Sequence, residues 1–454
     1  MPFVSLNPAT NQLIHTHTSW DSRYLESMLE KSGRAQQLWG QTSFSARAGV
    51  LRKVAAQLLA QRDRFATLIT LEMGKPTSEA RAEVEKCAGT CEYYARNGEE
   101  FLRADTIESD AGKSYVAYYP LGVVLAVMPW NFPVWQVFRA AAPAVMAGNA
   151  VVLKHAPNVP KCALAMEAVF RDGGLPEGVF ANLMIEVEQV AGVIANPYIR
   201  AVTLTGSEAA GRKVAASAGQ CLKKCVLELG GSDPFIVLHD ADMDLAVSSA
   251  VSSRFLNCGQ SCIAAKRFIL VPQIADDFMR RFKVAVEVLK LGDPMLEDTQ
   301  IGPMARLDLR ETLHKQITDS ISQGAVAVTG CKPVAREGFF YQPSILDHVT
   351  AKTRAYHEEL FGPVAIVIRA ASEDDAVYLA NETRFGLGSS IWSKDVRRAE
   401  QLASRIQAGC TFVNGMVKSD PRLPFGGIKS SGYGRELSRL GIHEFVNAKT
   451  VWIR

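Results

Sequence analysis

"NAVVLK" (149–154), "AVTLTG" (201–206) and "CVLELGG" (225–231) are short apolar runs that each end in polar or glycine residues. Such runs, rich in valine and closed by turn residues, read as buried strands. Helical text opens at Pro160 after the first run and at Glu208 after the second. Strands apolar along their whole length and alternating with helices predict a parallel sheet covered on both faces. A second block repeats the rhythm: "DPFIVL" (233–238), "AKRFILV" (265–271), the helical "ADDFMRRFKVAVEVLK" (275–290), "GAVAVTG" (324–330) and "GPVAIVIRA" (362–370). The junction between the blocks falls at Gly230-Gly231. Upstream, residues 21–97 read as helical, with Gly74 as a stop. "KSYVAYYPLGVVLAVMPW" (113–130) is strand-like and broken at Pro120-Leu121-Gly122. "HEFVNAKTVWIR" (443–454) reads as a last strand with an apolar edge, which predicts cover by a second copy of the chain.

With 454 residues the chain has room for roughly three domain-sized units and needs no disulfide staples. Lys plus Arg number 50 against 47 Asp plus Glu, a net charge of +3, so composition gives no electrostatic reason for a nucleic-acid or membrane partner. No basic start and apolar core of a leader is read in the first residues. Residues 118–138 carry no charged side chain, yet Pro120, Pro129, Pro133, Asn131 and Gln136 argue for buried strand and loop over a membrane span. Nine cysteines, an odd number, fit free thiols in a reducing compartment, hence the cytoplasm. Pairs at C-x3-C spacing (Cys87/Cys91, Cys221/Cys225, Cys258/Cys262) have no His pair at ligand spacing, so no metal site is expected.

Ligands of an open parallel sheet sit outside the carboxyl ends of its strands. Lys154, Thr205-Gly206-Ser207 and Glu228 lie there. Gly206-Ser207 leads into a helix whose free N–H groups favour a pyrophosphate, although from the tripeptide alone a plain turn and cap is the favoured reading. "GSEAAGRK" (206–213) lacks the Lys-Ser/Thr pair of a P-loop. Cys262, in "FLNCGQSC" (255–262), has polar neighbours and a flexible Gly259; a nucleophilic thiol there calls for access and a lowered pKa, whereas a cysteine picked at random is inert and buried. Glu228 in an apolar strand would have a raised pKa, which suits a general base. Asn131 places an amide donor in the uncharged "MPWNFP" (128–133), or serves as a turn residue.

Together "PWNFP" (129–133), "VVLK" (151–154), "TGS" (205–207) with Gly211, "ELGG" (228–231), "FLNCGQSC" (255–262), "EELFGPV" (358–364) and "PFGGIKSSGYGRE" (424–436) resemble the aldehyde dehydrogenase superfamily in content, order and spacing. The resemblance implies an α/β fold with two parallel-sheet Rossmann-type domains and a small β oligomerisation element. Its parts would be a cofactor-binding domain (1–107 and 122–229), a catalytic domain (230–431) and the oligomerisation element (108–121 and 432–454). It implies Cys262 as nucleophile, Glu228 as general base, and the Asn131 amide with the Cys262 N–H as oxyanion hole. It implies Glu359 and Phe361 at the nicotinamide ribose, Lys154 at the adenosine ribose, Ser207 and Gly206 by the pyrophosphate, and Trp130 on the cofactor-facing loop. The implied partners are a small aldehyde and NAD or NADP, and the implied assembly is a homodimer or homotetramer.

Two departures bear on the cofactor. Pro157 stands where NAD-selecting members carry a glutamate for the ribose 2′-OH, and "NLMIEVEQVAG" (182–192) replaces a Gly-rich segment. Proline neither accepts from the 2′-OH nor repels a 2′-phosphate, so both cofactors are expected, NAD modestly ahead. "PWNFPVWQVFRAAAPAVMAGN" (129–149), "LKHAPNVP" (153–160) and "NGMVKSDPRLPFGG" (414–427) resemble the shorter bacterial succinate-semialdehyde dehydrogenases. Arg139, aided by Ser419, would then pair with the substrate carboxylate; the competing reading is an arginine bridging two helices. Leu256 stands where some such enzymes have a second arginine. A CoA-acylating enzyme has no use for the hydrolytic base Glu228, and a non-catalytic binding protein has none for the whole Cys262, Glu228 and Asn131 set.

Overall fold

A computed structural model describes residues 3–454 of the chain; Met1 and Pro2, assigned above to the first domain, lie outside the described residues. The two strand-rich blocks form separate sheets over separate cores. Across the first sheet run Gly432–Tyr433, Lys224–Glu228, Ile199–Thr205, Val123–Met128, Ala150–His155 and Phe180–Asn182. Every neighbouring pair is parallel except the first. The strand order reverses between Val123–Met128 and Ile199–Thr205, and their carboxyl ends open the crevice where such sheets bind ligands. The loop with Trp130 and Asn131 leaves one of these strands, and Gly206-Ser207 leaves the other.

The second sheet runs Val326–Thr329, Ser344–Asp347, Val364–Arg369, Ala265–Leu270, Asp233–Val237, Ser390–Trp392 and Phe412–Val413, parallel but for its first pair. Cys262 and Glu359 both precede strands of this sheet, so one block offers strand ends to the site and the other offers strand beginnings. A third sheet pairs Asp105–Thr106, Lys113–Pro120 and Val446–Ile453 antiparallel, with the last two in register from Lys113↔Ile453 to Pro120↔Val446.

Helices Ser22–Trp39 and Phe44–Ala60 start at Asp21 and Ser43, whose side chains cap Tyr24 and Ala46 N–H groups. Gly74 ends Arg62–Met73 at φ 83°. The long helix Thr77–Phe101 packs on Trp135–Met146. Its Glu83 accepts from the Val134 and Trp135 N–H groups at 2.9 Å each and pairs with Lys75. A carboxylate at a helix start fixes the helix that carries Trp135 and Arg139.

The structure corrects several expectations. Residues 432–433 add an antiparallel strand to the first sheet and so leave the oligomerisation element, whereas Asp105-Thr106 joins the three-stranded sheet although residues 1–107 were read as cofactor domain. The hairpin of Phe3–Leu6 with Leu13–His17 and the strands Ser344–Asp347, Ser390–Trp392 and Phe412–Val413 were not read in the sequence. Strands this short carry no periodicity; their partners define them.

Candidate active site

Cys262 is placed by a loop that local propensity would not choose. After the helix Met243–Phe255 the backbone passes through Asn257, Cys258 and Gly259 at φ 56°, 54° and 69°. Left-handed conformations cost non-glycine residues roughly 1–2 kcal/mol each, so the surroundings must impose them. Glu79 Oε2 accepts from the Asn257 N–H at 2.7 Å, and the Asn257 amide donates to the carbonyls of Asn131 and Gln260 at 2.8 and 3.0 Å. Burial pushes the Glu79 carboxyl up to about 7. The buried Arg254 donates to the carbonyls of Val364 and Leu360 at 2.6 and 3.0 Å. A Cβ at Gly259 would stand 2.3 Å from the Gly362 carbonyl oxygen. Beyond the bend, the buried Lys266 donates to the Ser261 and Cys262 carbonyls, both at 2.8 Å.

The Cys262 side chain is buried, with its thiol close enough to the Glu228 carboxyl to feel its charge. Burial, then the Glu228 charge, pushes the thiol well above its ordinary value, and Arg139 and Lys266 oppose that. The expected lowered pKa is therefore corrected: burial and the Glu228 charge raise it instead. Burial likewise raises the Glu228 carboxyl against the pull of Arg139. The Asn131 amide donates to the Gln260 carbonyl at 3.1 Å, which brings its –NH2 beside the loop bearing Cys262 and leaves its second hydrogen for another acceptor.

Arg139 does not extend into an open pocket. Its guanidinium is fully buried, 3.3 Å from Glu228 Oε2, 2.5 Å from Glu436 Oε2 and 3.2 Å from Thr205 Oγ1, over the Phe425 ring. Expected at a substrate carboxylate, it lies in this structure against two protein carboxylates. Burial pushes Glu436 up to about 7 and Arg139 opposes. Ser419, its expected helper, instead accepts at 2.6 Å from Lys86 Nζ.

A groove of about 470 Å³ is bordered by Ser207, Arg212, Gly230, Glu359 and Arg384. Ser207 caps the helix Glu208–Gln220 by accepting from the Ala210 N–H, and the Gly206 N–H donates to the Glu228 carbonyl at 3.0 Å. Gly211 lets that helix approach: a Cβ there would stand 2.6 Å from the Leu229 side chain. Glu359 pairs with Lys266 at 3.1 Å and accepts from the Gly231 N–H at 3.2 Å. A Cβ on Gly230 would come within 2.2 Å of Glu359 Oε2 and would push that side chain aside where the two blocks meet. Trp130 and Phe361 meet edge to face at 5.8 Å. Lys154 is buried at its strand end, its amine lowered to about 8 by burial, and donates to the His155 carbonyl. Pro157 is exposed one turn further on. A helix start and an acidic side chain along one groove fit the phosphates and a ribose of a dinucleotide.

Sequence reading missed Lys86, Lys266, Glu436, Asn257 and His155. His155 is held neutral by burial, lowered to about 4, and its Nε2 meets the Pro133 carbonyl at 2.8 Å, tying the strand end to the Asn131 loop. Only "SGYGRE" held a legible signal, the acid Glu436 in an otherwise glycine-rich turn.

A profile of the aldehyde dehydrogenase family matches residues 2–451. The chain is 48% identical over 453 residues to a probable succinate-semialdehyde dehydrogenase (NADP(+)) of Synechocystis sp., covering 100% of both. It is 46% identical over 449 residues to the succinate semialdehyde dehydrogenase (NAD(P)+) Sad of Escherichia coli, covering 99% of this chain and 97% of the relative. The crystal structure of succinic semialdehyde dehydrogenase from Streptococcus pyogenes in complex with NADP+ superposes with a TM-score of 0.98 at 38% identity, covering 99% of each chain. A match across nearly the whole length, in sequence and in fold, leaves one conclusion: this chain belongs to the aldehyde dehydrogenase family.

Proposed function

We propose that the chain oxidises succinate semialdehyde to succinate with a nicotinamide dinucleotide, Cys262 acting as nucleophile and Glu228 as base. The observation that carries the reading is the buried thiol of Cys262 facing the Glu228 carboxyl, beside the Asn131 amide. The thiol gives its proton to solvent, and the sulfur adds to the aldehyde carbon. The oxygen of that adduct takes the negative charge, and the Asn131 amide with the Cys262 N–H stabilises it; one such donor is typically worth about 2.7–4 kcal/mol. The bound dinucleotide supplies the hydride acceptor, which leaves a thioester on Cys262. Glu228 then takes a proton from water while the oxygen attacks the thioester carbon, and the Cys262 thiolate departs as the acid forms.

We assign Ser207 and Gly206 to the pyrophosphate, Glu359 and Phe361 to the nicotinamide ribose, and Lys154 with Trp130 to the remaining contacts, as the family resemblance implies. Both dinucleotides are accepted, with NADP the better. An exposed proline at 157 repels no 2′-phosphate, and the relatives' names carry NADP(+) or NAD(P)+. That reverses the modest lead given to NAD on the sequence alone. The working form is a homodimer or homotetramer joined through the three-stranded sheet.

The test is a panel of aldehydes of similar length, charged and uncharged, assayed with NAD and with NADP. Succinate semialdehyde should lead in kcat/KM, and Cys262→Ala should bind dinucleotide without oxidising any aldehyde. Near wild-type oxidation by that variant removes Cys262 as the nucleophile, and an uncharged aldehyde in the lead removes the substrate.

A further inference from the structure

Lys266 is the second residue of the strand Ala265–Leu270 and follows Cys262 in the same connection. Its neighbour Arg267, which strand alternation sends to the opposite face, donates to the carbonyls of Ser232, Leu379 and Ala380. Lys266 turns instead to the place where the two blocks meet, and it is fully buried there. Its Nζ donates to the Ser261 carbonyl and to the carbonyl of Cys262 itself, both at 2.8 Å, and lies 3.1 Å from Glu359 Oε1. An ammonium has three N–H donors and no acceptor, so three close oxygens match it. The centre of the Phe361 ring stands 6.0 Å from the same nitrogen.

A buried ammonium needs compensating charge. Glu359 supplies it by contact, and Asp233 lies near enough that Lys266 pulls on its carboxyl, which burial pushes up to about 7. The Cys262 sulfur is the third group in reach. Burial and then the Glu228 charge raise that thiol, and Arg139 and Lys266 oppose them. Arg139 is shared between Glu228 and Glu436, whereas Lys266 is bonded to the backbone of the nucleophile.

We propose that Lys266 is the positioning residue that joins the two halves of the site, holding the Cys262 peptide and the Glu359 carboxylate at one point while its charge favours the Cys262 thiolate. Without it, the Ser261 and Cys262 carbonyls would each lose a buried donor, and Glu359 would keep only the Gly231 N–H at 3.2 Å. A flexible stem carrying a point charge suits three oxygens from separate segments, which the planar fork of an arginine does not. Thiol ionisation and dinucleotide binding should therefore fail together when Lys266 is replaced.

This inference rests on the roles proposed for Cys262 and Glu359, and neither of its readouts needs an aldehyde. The first is the pH profile of Cys262 alkylation by iodoacetamide, read by peptide mapping. The second is the Kd for NADPH from fluorescence titration. In Lys266→Met the rising limb of alkylation should move to higher pH, because a charge that lowered the thiol pKa is gone, with the rate at neutral pH falling roughly tenfold for each unit of the move. The Kd should rise roughly tenfold as Glu359 loses its hold. A lysine that merely props the loop would leave the midpoint in place, so an unmoved midpoint overturns the proposal, and so does an unchanged Kd. Glu359→Gln tells which reading failed: an unchanged Kd there removes the ribose assignment itself, whereas a raised Kd there beside an unchanged one in Lys266→Met removes only the junction. Oxidation surviving in Cys262→Ala would remove the nucleophile without altering either Lys266 readout. Should Lys266→Met melt well below the wild type, Lys266→Gln, which can still donate to the carbonyls but carries no charge, is judged by the same pH midpoint.

Discussion

At the scale of single residues, the centre is a balance of charges in a dry place. In the proposed reaction Glu228 serves hydrolysis, but its negative charge stands against the Cys262 thiolate, and Arg139, shared with Glu436, offsets only part of that. Glu228→Gln should therefore do two opposite things. One equivalent of reduced dinucleotide should form per site in a burst and turnover should then stop, because the thioester keeps no base. At the same time the thiol should ionise more readily. A raised thiol pKa means that alkylation of Cys262 climbs with pH. Removing the neighbouring carboxylate lowers that pKa, and the rate near neutral pH should rise roughly tenfold for each unit gained. Peptide mapping after brief iodoacetamide treatment reads it. Slower alkylation in the variant would make Glu228 the acceptor of the thiol proton, and a missing burst would give it a part in the first step.

Among the elements, glycines set how closely strands, helices and loops approach, and three of them should respond differently to alanine. Gly230→Ala pushes Glu359 away from Lys266 and the Gly231 N–H. Loss of the ribose contact proposed for Glu359, worth about 1.5–3 kcal/mol, should raise the dinucleotide KM roughly tenfold or more with little change in melting temperature. Gly259→Ala meets the Gly362 carbonyl at φ 69° and should lower stability by about 1–3 kcal/mol and disturb the Cys262 loop. Gly49, inside the helix Phe44–Ala60, has nothing within 4 Å of its would-be Cβ, so Gly49→Ala should stabilise by roughly 0.5–1 kcal/mol. Thermal melting together with dinucleotide titration separates the three, and a stable Gly259→Ala enzyme with full activity would show that the bend is dispensable.

For the molecule as a whole, the three-stranded sheet is the exposed feature. Val446–Ile453 is an edge strand of eight residues, and Tyr119, Trp452 and Ile453 on this sheet are each about half exposed. Long strand edges with aromatic side chains are usually covered, and a closed dimer covers two at once. Sedimentation should find at least twice the chain mass, and Trp452→Lys with Ile453→Glu should shift it towards one chain. An active monomer at assay concentration would end the idea of an assembly through this sheet.

The sequence by itself determined the alternation of strands and helices, the break at Gly230-Gly231 and the family, because these lie in contiguous strings whose residues meet the same neighbours in every copy of the fold. It also placed Cys262, Glu228 and Asn131 as chemical candidates, since each stands out against its own apolar or glycine-rich surroundings. Pairing was not legible. The short strands, the move of 432–433 into the first sheet and the clasp of Arg139 by Glu228 and Glu436 all join residues far apart in the chain. The upward push on the Cys262 thiol and the contact of Lys86 with Ser419 were likewise decided by tertiary structure alone. A side chain's charge is written in its chemistry, but its burial and its partners depend on distant segments that fold against it.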